Sequence, residues 1–94
     1  MFKIEKIDEN NYKLIGRFTA ADVNTAEIEF NNITSSTNVD FSELDYISSA
    51  GLSVLLKAQK RLSNSKQELT LKNMSKMVKD IFHYVGFDTI FRIE

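Results

Sequence analysis

The chain has 94 residues, 43% of them hydrophobic, a formal charge of −1 and no cysteine. That length fits a single domain over residues 1–94, since domains usually hold about 100–200 residues, and the hydrophobic share is that of a globular chain. The near-neutral charge, with no basic cluster interleaved with aromatics, excludes an electrostatic nucleic-acid binder, and the missing cysteines exclude disulfides and cysteine-based metal or redox sites.

From the N-terminus, Phe2, Ile4 and Ile7 alternate with Lys3, Glu5 and Lys6, the pattern of a half-exposed strand. Charges at alternate positions rule out a signal peptide there, and no later stretch approaches the roughly 18 apolar residues that span a bilayer. No membrane insertion is expected, and a cysteine-free chain of this kind fits the cytoplasm. Asp8-Glu9-Asn10-Asn11 is a polar turn cluster, long for a two-residue turn, and Tyr12-Lys13-Leu14-Ile15 begins a second strand, so the pair predicts a hairpin. Gly16 interrupts the pattern as a bulge or strand end.

Thr19 or Asp22 then caps a helix whose inward face is Val23, Ala26, Phe30 and Ile33, closed by Asn31, Asn32 and the polar run 34–38. Asp40 to Leu62 is the central stretch: a strand anchored by Phe41, Leu44 and Ile47, a turn Ser48-Ser49-Ala50-Gly51, and an amphipathic helix. That helix carries Leu52, Leu55, Leu56 and Leu62 as its core stripe. Lys57, Lys60 and Arg61 read as its solvated outer face. Glu68-Leu69-Thr70-Leu71 makes a fourth strand. Ser75 caps a third helix with Met74, Met77, Val78, Ile81, Phe82 and Val85 on one narrow face, and Gly86 takes the left-handed C′ position with Phe87 as its apolar contact. Ile90, Phe91 and Ile93 close the chain as a strand. The order β-β-α-β-α-β-α-β implies an α/β fold, a mixed sheet with helices packed on it through right-handed crossovers.

Little in this sequence suggests catalysis. His83 is the only histidine and no carboxylate pair is spaced with it for a metal. A Ser49–His83–aspartate triad lacks both the oxyanion loop and the Gly-x-Ser-x-Gly elbow. Glycines at 16, 51 and 86 are too scattered to cradle a phosphate, and Asp40, Glu43 and Asp45 read as solvated carboxylates. The chain is therefore expected to be no enzyme and to need no cofactor. The suggestive feature is Ser48-Ser49: either hydroxyl can cap the helix, and both stand at the positive end of its dipole, where a phosphate is tolerated.

The string Tyr46-Ile-Ser-Ser-Ala-Gly-Leu-Ser-Val-Leu-Leu resembles the central motif of the STAS domain, the family of anti-sigma factor antagonists and sulfate-transporter tails. Asp40-Phe41-Ser42 matches its strand motif, Ser48 to Leu52 its turn, and the hairpin, first helix, polar loop and Val85-Gly86-Phe87…Phe91 fall in family order. The resemblance implies that Ser49, two before the glycine, is the phosphorylated serine, with Ser48 the second choice. It implies a partner-switching module that binds an anti-sigma factor with an ATP-dependent serine kinase fold when unphosphorylated, and is reset by a PP2C-type serine phosphatase. Ser48, Ala50, Gly51 and Ser53 would then form the partner-facing rim, with Thr19 and Asp22 contributing from the neighbouring loop. The chain departs from the family at Ser48, where many antagonists carry aspartate, and in having Gly16-Arg-Phe-Thr19 for the usual Gly-x-Leu-Asp. The alternative that the resemblance allows is a STAS subunit of a larger assembly, such as a phospholipid-trafficking ABC transporter, gripping an ATPase with the same helix and no phosphorylation cycle.

Overall fold

The structure, a computed structural model, describes residues 1–94. Strands β1 (Phe2–Asp8) and β2 (Asn11–Phe18) form an antiparallel hairpin. The turn between them is shorter than expected, only Glu9-Asn10, because the register steps from Lys6↔Tyr12 to Asp8↔Asn11 and leaves Ile7 as an extra residue on β1. The Asp8 carboxylate closes the turn, accepting from the Asn10 backbone N–H at 2.9 Å and from Asn11 Nδ2 at 2.9 Å. Ile7, expected on the apolar side, is turned out by the bulge and lies 57% exposed.

β3 (Thr37–Ile47), β4 (Leu69–Lys72) and β5 (Arg92–Ile93) continue the sheet in parallel with β2, in the order β1-β2-β3-β4-β5. Helices α1 (Val23–Asn31), α2 (Ser49–Ser63) and α3 (Lys76–Tyr84) make the three crossovers. Single 3-10 turns precede α1 (Ala20–Asp22) and follow α3 (Phe87–Thr89). The mixed α/β order read from the sequence is the one observed. Because the strand order never reverses, right-handed crossovers bring all three helices to one face of the sheet. The opposite face is polar: Lys13 Nζ meets Glu43 Oε2 at 2.6 Å, and the Arg17 guanidinium lies 4.5 Å over the Tyr46 ring.

The spacing of Phe41, Leu44 and Ile47 is three residues, not the two of a flat strand. The register explains it. Lys13↔Asp40 is followed by Ile15↔Glu43, and Gly16↔Leu44 by Arg17↔Tyr46, so β3 gains one residue at each of two bulges. Each bulge rephases the strand by one side chain, and Phe41, Leu44 and Ile47 all reach the helix-covered face. They join a single core cluster of 20 buried hydrophobic residues. At one end of it Phe82 of α3 meets Phe41 and Phe91 edge-on, each at 5.9 Å between centroids.

α2 is clamped on two sides, by the sheet and by α1, and its buried arc is correspondingly wide. Leu52, Leu55 and Leu62 are buried as expected, and Val54 and Ala58 join them beside Phe30 of α1. Leu56, expected in the core, is only half-buried. Arg61 is not simply a solvated side chain. Its Nη1 and Nη2 donate to the carbonyls of Ile33 and Phe30, both at 2.8 Å, and so satisfy the C-terminal end of α1. Arg61→Met should lower stability by about 1–3 kcal/mol, read as a lower urea midpoint at unchanged slope. Arg61→Lys should recover only part of it, since an ammonium cannot fork to two carbonyls.

Gln59 ties α2 to the start of β4 and the segment leading into β5: its Oε1 accepts from the Leu69 N–H at 2.8 Å and its Nε2 donates to the Ile90 carbonyl at 3.4 Å. In α3, Ser75 Oγ caps the helix by accepting from the Val78 N–H at 3.2 Å, and Gly86 takes φ +79° after its last turn. The face expected to be narrow is in fact split. Val78 and Phe82 are fully buried, whereas Met77 is 55% and Val85 46% exposed. The closing strand begins at Arg92; Phe91 is in the core, and Ile90 falls outside the strand, 43% exposed.

Candidate phosphoacceptor turn

Where β3 ends, the Ser48 N–H donates to the Phe18 carbonyl at 2.8 Å and fixes the turn to the end of β2. Ser48 is extended, and its Oγ accepts from the Gly51 N–H at 3.1 Å, so this residue is the N-cap of α2. Ser49 is the first helical residue. It is exposed, its carbonyl accepts from Ser53 Oγ at 3.2 Å, and its own hydroxyl makes no hydrogen bond within the chain. The two serines, either of which could cap the helix on sequence grounds, are therefore chemically distinct: one hydroxyl is spent on the backbone and the other is free. No acidic residue sits in the first turn of α2, so the positive end of its dipole is uncompensated at Ser49.

Ser48→Ala should lower stability by about 1 kcal/mol, a fall in Tm of about 4–8 °C, because the Gly51 N–H loses its acceptor. Ser49→Ala should leave Tm nearly unchanged. Thermal melts of the two variants side by side make the comparison.

Gly51 does not stand on the rim where it was expected. It is buried, and a Cβ there would lie 2.9 Å from Ile47 Cγ1 and 3.0 Å from Phe18 Cγ. A hydrogen at this position lets the first turn of α2 sit directly on the ends of β2 and β3. Ser49 and Ser53 are exposed, Ser48 and Ala50 half-buried, and these four make the surface of the turn. The 3-10 turn holding Thr19 and Asp22 packs against α2. Asp22 Oδ2 accepts from the Thr19 N–H at 2.8 Å and from Thr19 Oγ1 at 3.0 Å, so the carboxylate folds back on its own turn.

His83 lies elsewhere, its Nδ1 2.7 Å from Asp88 Oδ2; that bond and the carboxylate's charge raise its pKa. The Ser49–His83 constellation is not assembled. Burial would push the Asp40 carboxyl upward, but hydrogen bonds from Ser42 and Asn73 and the charge of Lys13 outweigh it and hold the group below its ordinary value. No set of three or more His, Cys, Asp or Glu side chains is grouped to hold a metal ion, and no helix is long and apolar enough to cross a membrane.

A five-stranded mixed sheet wound in one direction, whose third strand runs through a serine turn into a core helix, is the architecture of STAS-type regulatory domains. The family model described as Mlab, STAS domain matches residues 13–93, and the chain belongs to that family. Among curated proteins, BtrV of Bordetella bronchiseptica, assigned as an anti-sigma factor antagonist, is 42% identical over 55 residues, 58% of this chain and 47% of BtrV. The chain thus matches about half the length of that relative. Among solved structures, the Bacillus anti-sigma factor antagonist SpoIIAA superposes in its unphosphorylated form with a TM-score of 0.72 at 14% identity, covering 100% of this chain and 87% of SpoIIAA. Its phosphorylated form gives 0.71 at 15% identity, over 100% and 91%. A Thermotoga maritima protein assigned as an anti-sigma factor antagonist gives 0.81 at 17% identity, over 99% and 85%. At such identities the superpositions speak to fold alone.

Proposed function

We propose that this chain is a partner-switching anti-sigma factor antagonist controlled by phosphorylation of Ser49. Unphosphorylated, it binds an anti-sigma factor with an ATP-dependent serine kinase fold through the surface of Ser48, Ala50 and Ser53, with Thr19 and Asp22 alongside. That kinase phosphorylates Ser49 and releases the chain, and a PP2C-type phosphatase restores it. On this reading the chain is a binding protein, not an enzyme, and acts in the cytoplasm. The observation that carries the proposal is the free, exposed Ser49 hydroxyl at the head of α2, beside a Ser48 already committed as cap. That SpoIIAA is known in unphosphorylated and phosphorylated forms, and that BtrV is assigned to the same class, supports it.

The physics of the step is local. A phosphate adds about −1.5 to −2 charge, and at a helix N-terminus the dipole favours it by about 0.3–1 kcal/mol, so the domain stays folded. Bulk and charge on the exposed turn then act against the partner, not against the fold. The test is binding in the presence of ATP: Ser49→Ala should hold the anti-sigma partner without release, and release at the wild-type rate would contradict the proposal.

One observation favours a second reading, a STAS subunit gripping an ATPase within a larger assembly without a phosphorylation cycle. The matching family model is described as Mlab and not as an antagonist. That reading expects stable co-purification with an ATPase and indifference to substitution of Ser49 by alanine.

A further inference from the structure

Arg17 stands where the open face of the sheet meets the serine turn. In register it lies opposite Tyr46, and the next pair along the strands is Phe18↔Ile47. The Phe18 carbonyl is the one that takes the Ser48 N–H at 2.8 Å, and Thr19 with its 3-10 turn follows directly in the chain.

The Arg17 side chain is exposed, with its guanidinium carbon 4.5 Å from the centroid of the half-buried Tyr46 ring. Attraction to the face of a ring takes up no acceptor oxygen, and the guanidinium N–H groups make no hydrogen bond within the chain. Arg17 also makes no ion pair. Its neighbours differ: Lys3, Lys13, Lys72 and Arg92, which share the open face, each have a carboxylate at 2.6–3.7 Å. Asp45, beside Tyr46 in the chain, is exposed and does not reach it.

The turn itself offers a partner little charge to read. Of Thr19, Asp22, Ser48, Ala50 and Ser53 only Asp22 is charged, and its carboxylate accepts from the Thr19 N–H at 2.8 Å and from Thr19 Oγ1 at 3.0 Å. The free charge at this end of the sheet is therefore the Arg17 guanidinium, positive and held over a ring. A guanidinium fork matches the two oxygens of a carboxylate, and fixing it in advance lowers the ordering cost of binding. Arginine and tyrosine are the side chains that concentrate binding energy at protein interfaces.

We infer that the surface contacted by the anti-sigma factor kinase continues from the Ser49 turn over the end of β2 to Arg17, which forks onto a carboxylate of that partner while Tyr46 holds it in place. The identity of the partner rests on the Ser49 reading; the Arg17 contact adds the charge that the partner must carry.

Titration calorimetry with the anti-sigma-type serine kinases of the same genome, with ADP in place of ATP, reads binding apart from phosphoryl transfer. Arg17→Gln should bind about ten- to a hundredfold more weakly at nearly unchanged Tm. Arg17→Lys should recover only part of the loss, since an ammonium cannot fork. Tyr46→Phe should bind as wild type and Tyr46→Leu about three- to tenfold more weakly, because the contact uses the ring and not its hydroxyl. Lys13→Gln removes the same charge from the same face, but from a cation already paired with Glu43, and should bind as wild type. With ATP supplied, Arg17→Gln should raise KM for Ser49 phosphorylation and leave kcat unchanged.

Wild-type binding by Arg17→Gln overturns the inference and leaves the Ser49 reading standing. An equal loss in Lys13→Gln also overturns it, since the effect would then belong to net charge and not to a contact. Weakened binding by Arg17→Gln, together with release of Ser49→Ala at the wild-type rate in ATP, upholds the Arg17 contact and removes the switch. A chain that none of these kinases binds removes both.

Discussion

Ser49→Asp should bind the anti-sigma partner about 5–150-fold more weakly than wild type while melting at the same temperature or slightly higher. The two halves of that expectation come from the same atom's position. A coupling of about 1–3 kcal/mol between a charge on the turn and the partner gives this range of affinity. A carboxylate at the first residue of α2, by contrast, meets the positive end of a helix with no acid in its first turn, which stabilises by about 0.3–1 kcal/mol. Isothermal titration with the partner and a thermal melt of the same sample separate the effects. Lost affinity with a lowered Tm would mean that the variant acts through damage to the fold. Unchanged affinity would remove the switch from Ser49.

Phe82→Ala should destabilise the chain by about 3–5 kcal/mol, against a total for a domain of this size of about 5–14 kcal/mol. Phe82 has no exposure and is the hub of an aromatic group: Phe41 and Phe91 at 5.9 Å and Phe87 at 6.3 Å all pack edge-on to it. Truncation leaves a cavity between β3, α3 and the segment leading into β5, and none of those backbones can close on it without giving up other contacts. Urea denaturation should show the midpoint falling by at least about a fifth of its wild-type value, at unchanged slope. Phe82→Leu, which fills most of the volume, should lose much less. A loss below 1 kcal/mol for alanine would mean that α3 is not seated on the sheet as described.

The order of elements was legible because each segment keeps its own period: alternation in β1 and β2, and helical spacing in α1 and α3. Ser75 and Gly86 announced the ends of α3 by chemistry that acts within a few residues. What escaped was set by partners distant in sequence. The three-residue spacing of Phe41, Leu44 and Ile47 reads as a loose strand until the register with β2 shows two bulges. Arg61 looks like any cation on a helix surface; only the fold brings the end of α1 under its guanidinium. Gln59, a buried polar residue among leucines, carries no local signal of its role, because its Leu69 and Ile90 partners lie 10 and 31 positions away. Leu56 and Gly51 were misplaced for one reason: the sequence gives the helical phase of α2 but not how far α1 and the strand ends wrap it.

The candidate site was legible in outline and unresolved in detail. Ser48 and Ser49 both stood at a helix start, and sequence could not say which hydroxyl the backbone would take. The geometry separates them through one hydrogen bond, Gly51 N–H to Ser48 Oγ. Thr19 and Asp22 were expected beside the turn as potential recognition groups; they do flank α2, but the carboxylate is turned into its own 3-10 turn.

The most direct measurement is intact-mass spectrometry, with site mapping, of the chain incubated with ATP and each anti-sigma-type serine kinase of its own genome. The account predicts a single added phosphate, on Ser49 and not on Ser48, absent from Ser49→Ala and removed by a PP2C-type phosphatase. No phosphate with any of the kinases, or a phosphate on Ser48 with Ser49 unmodified, would contradict it.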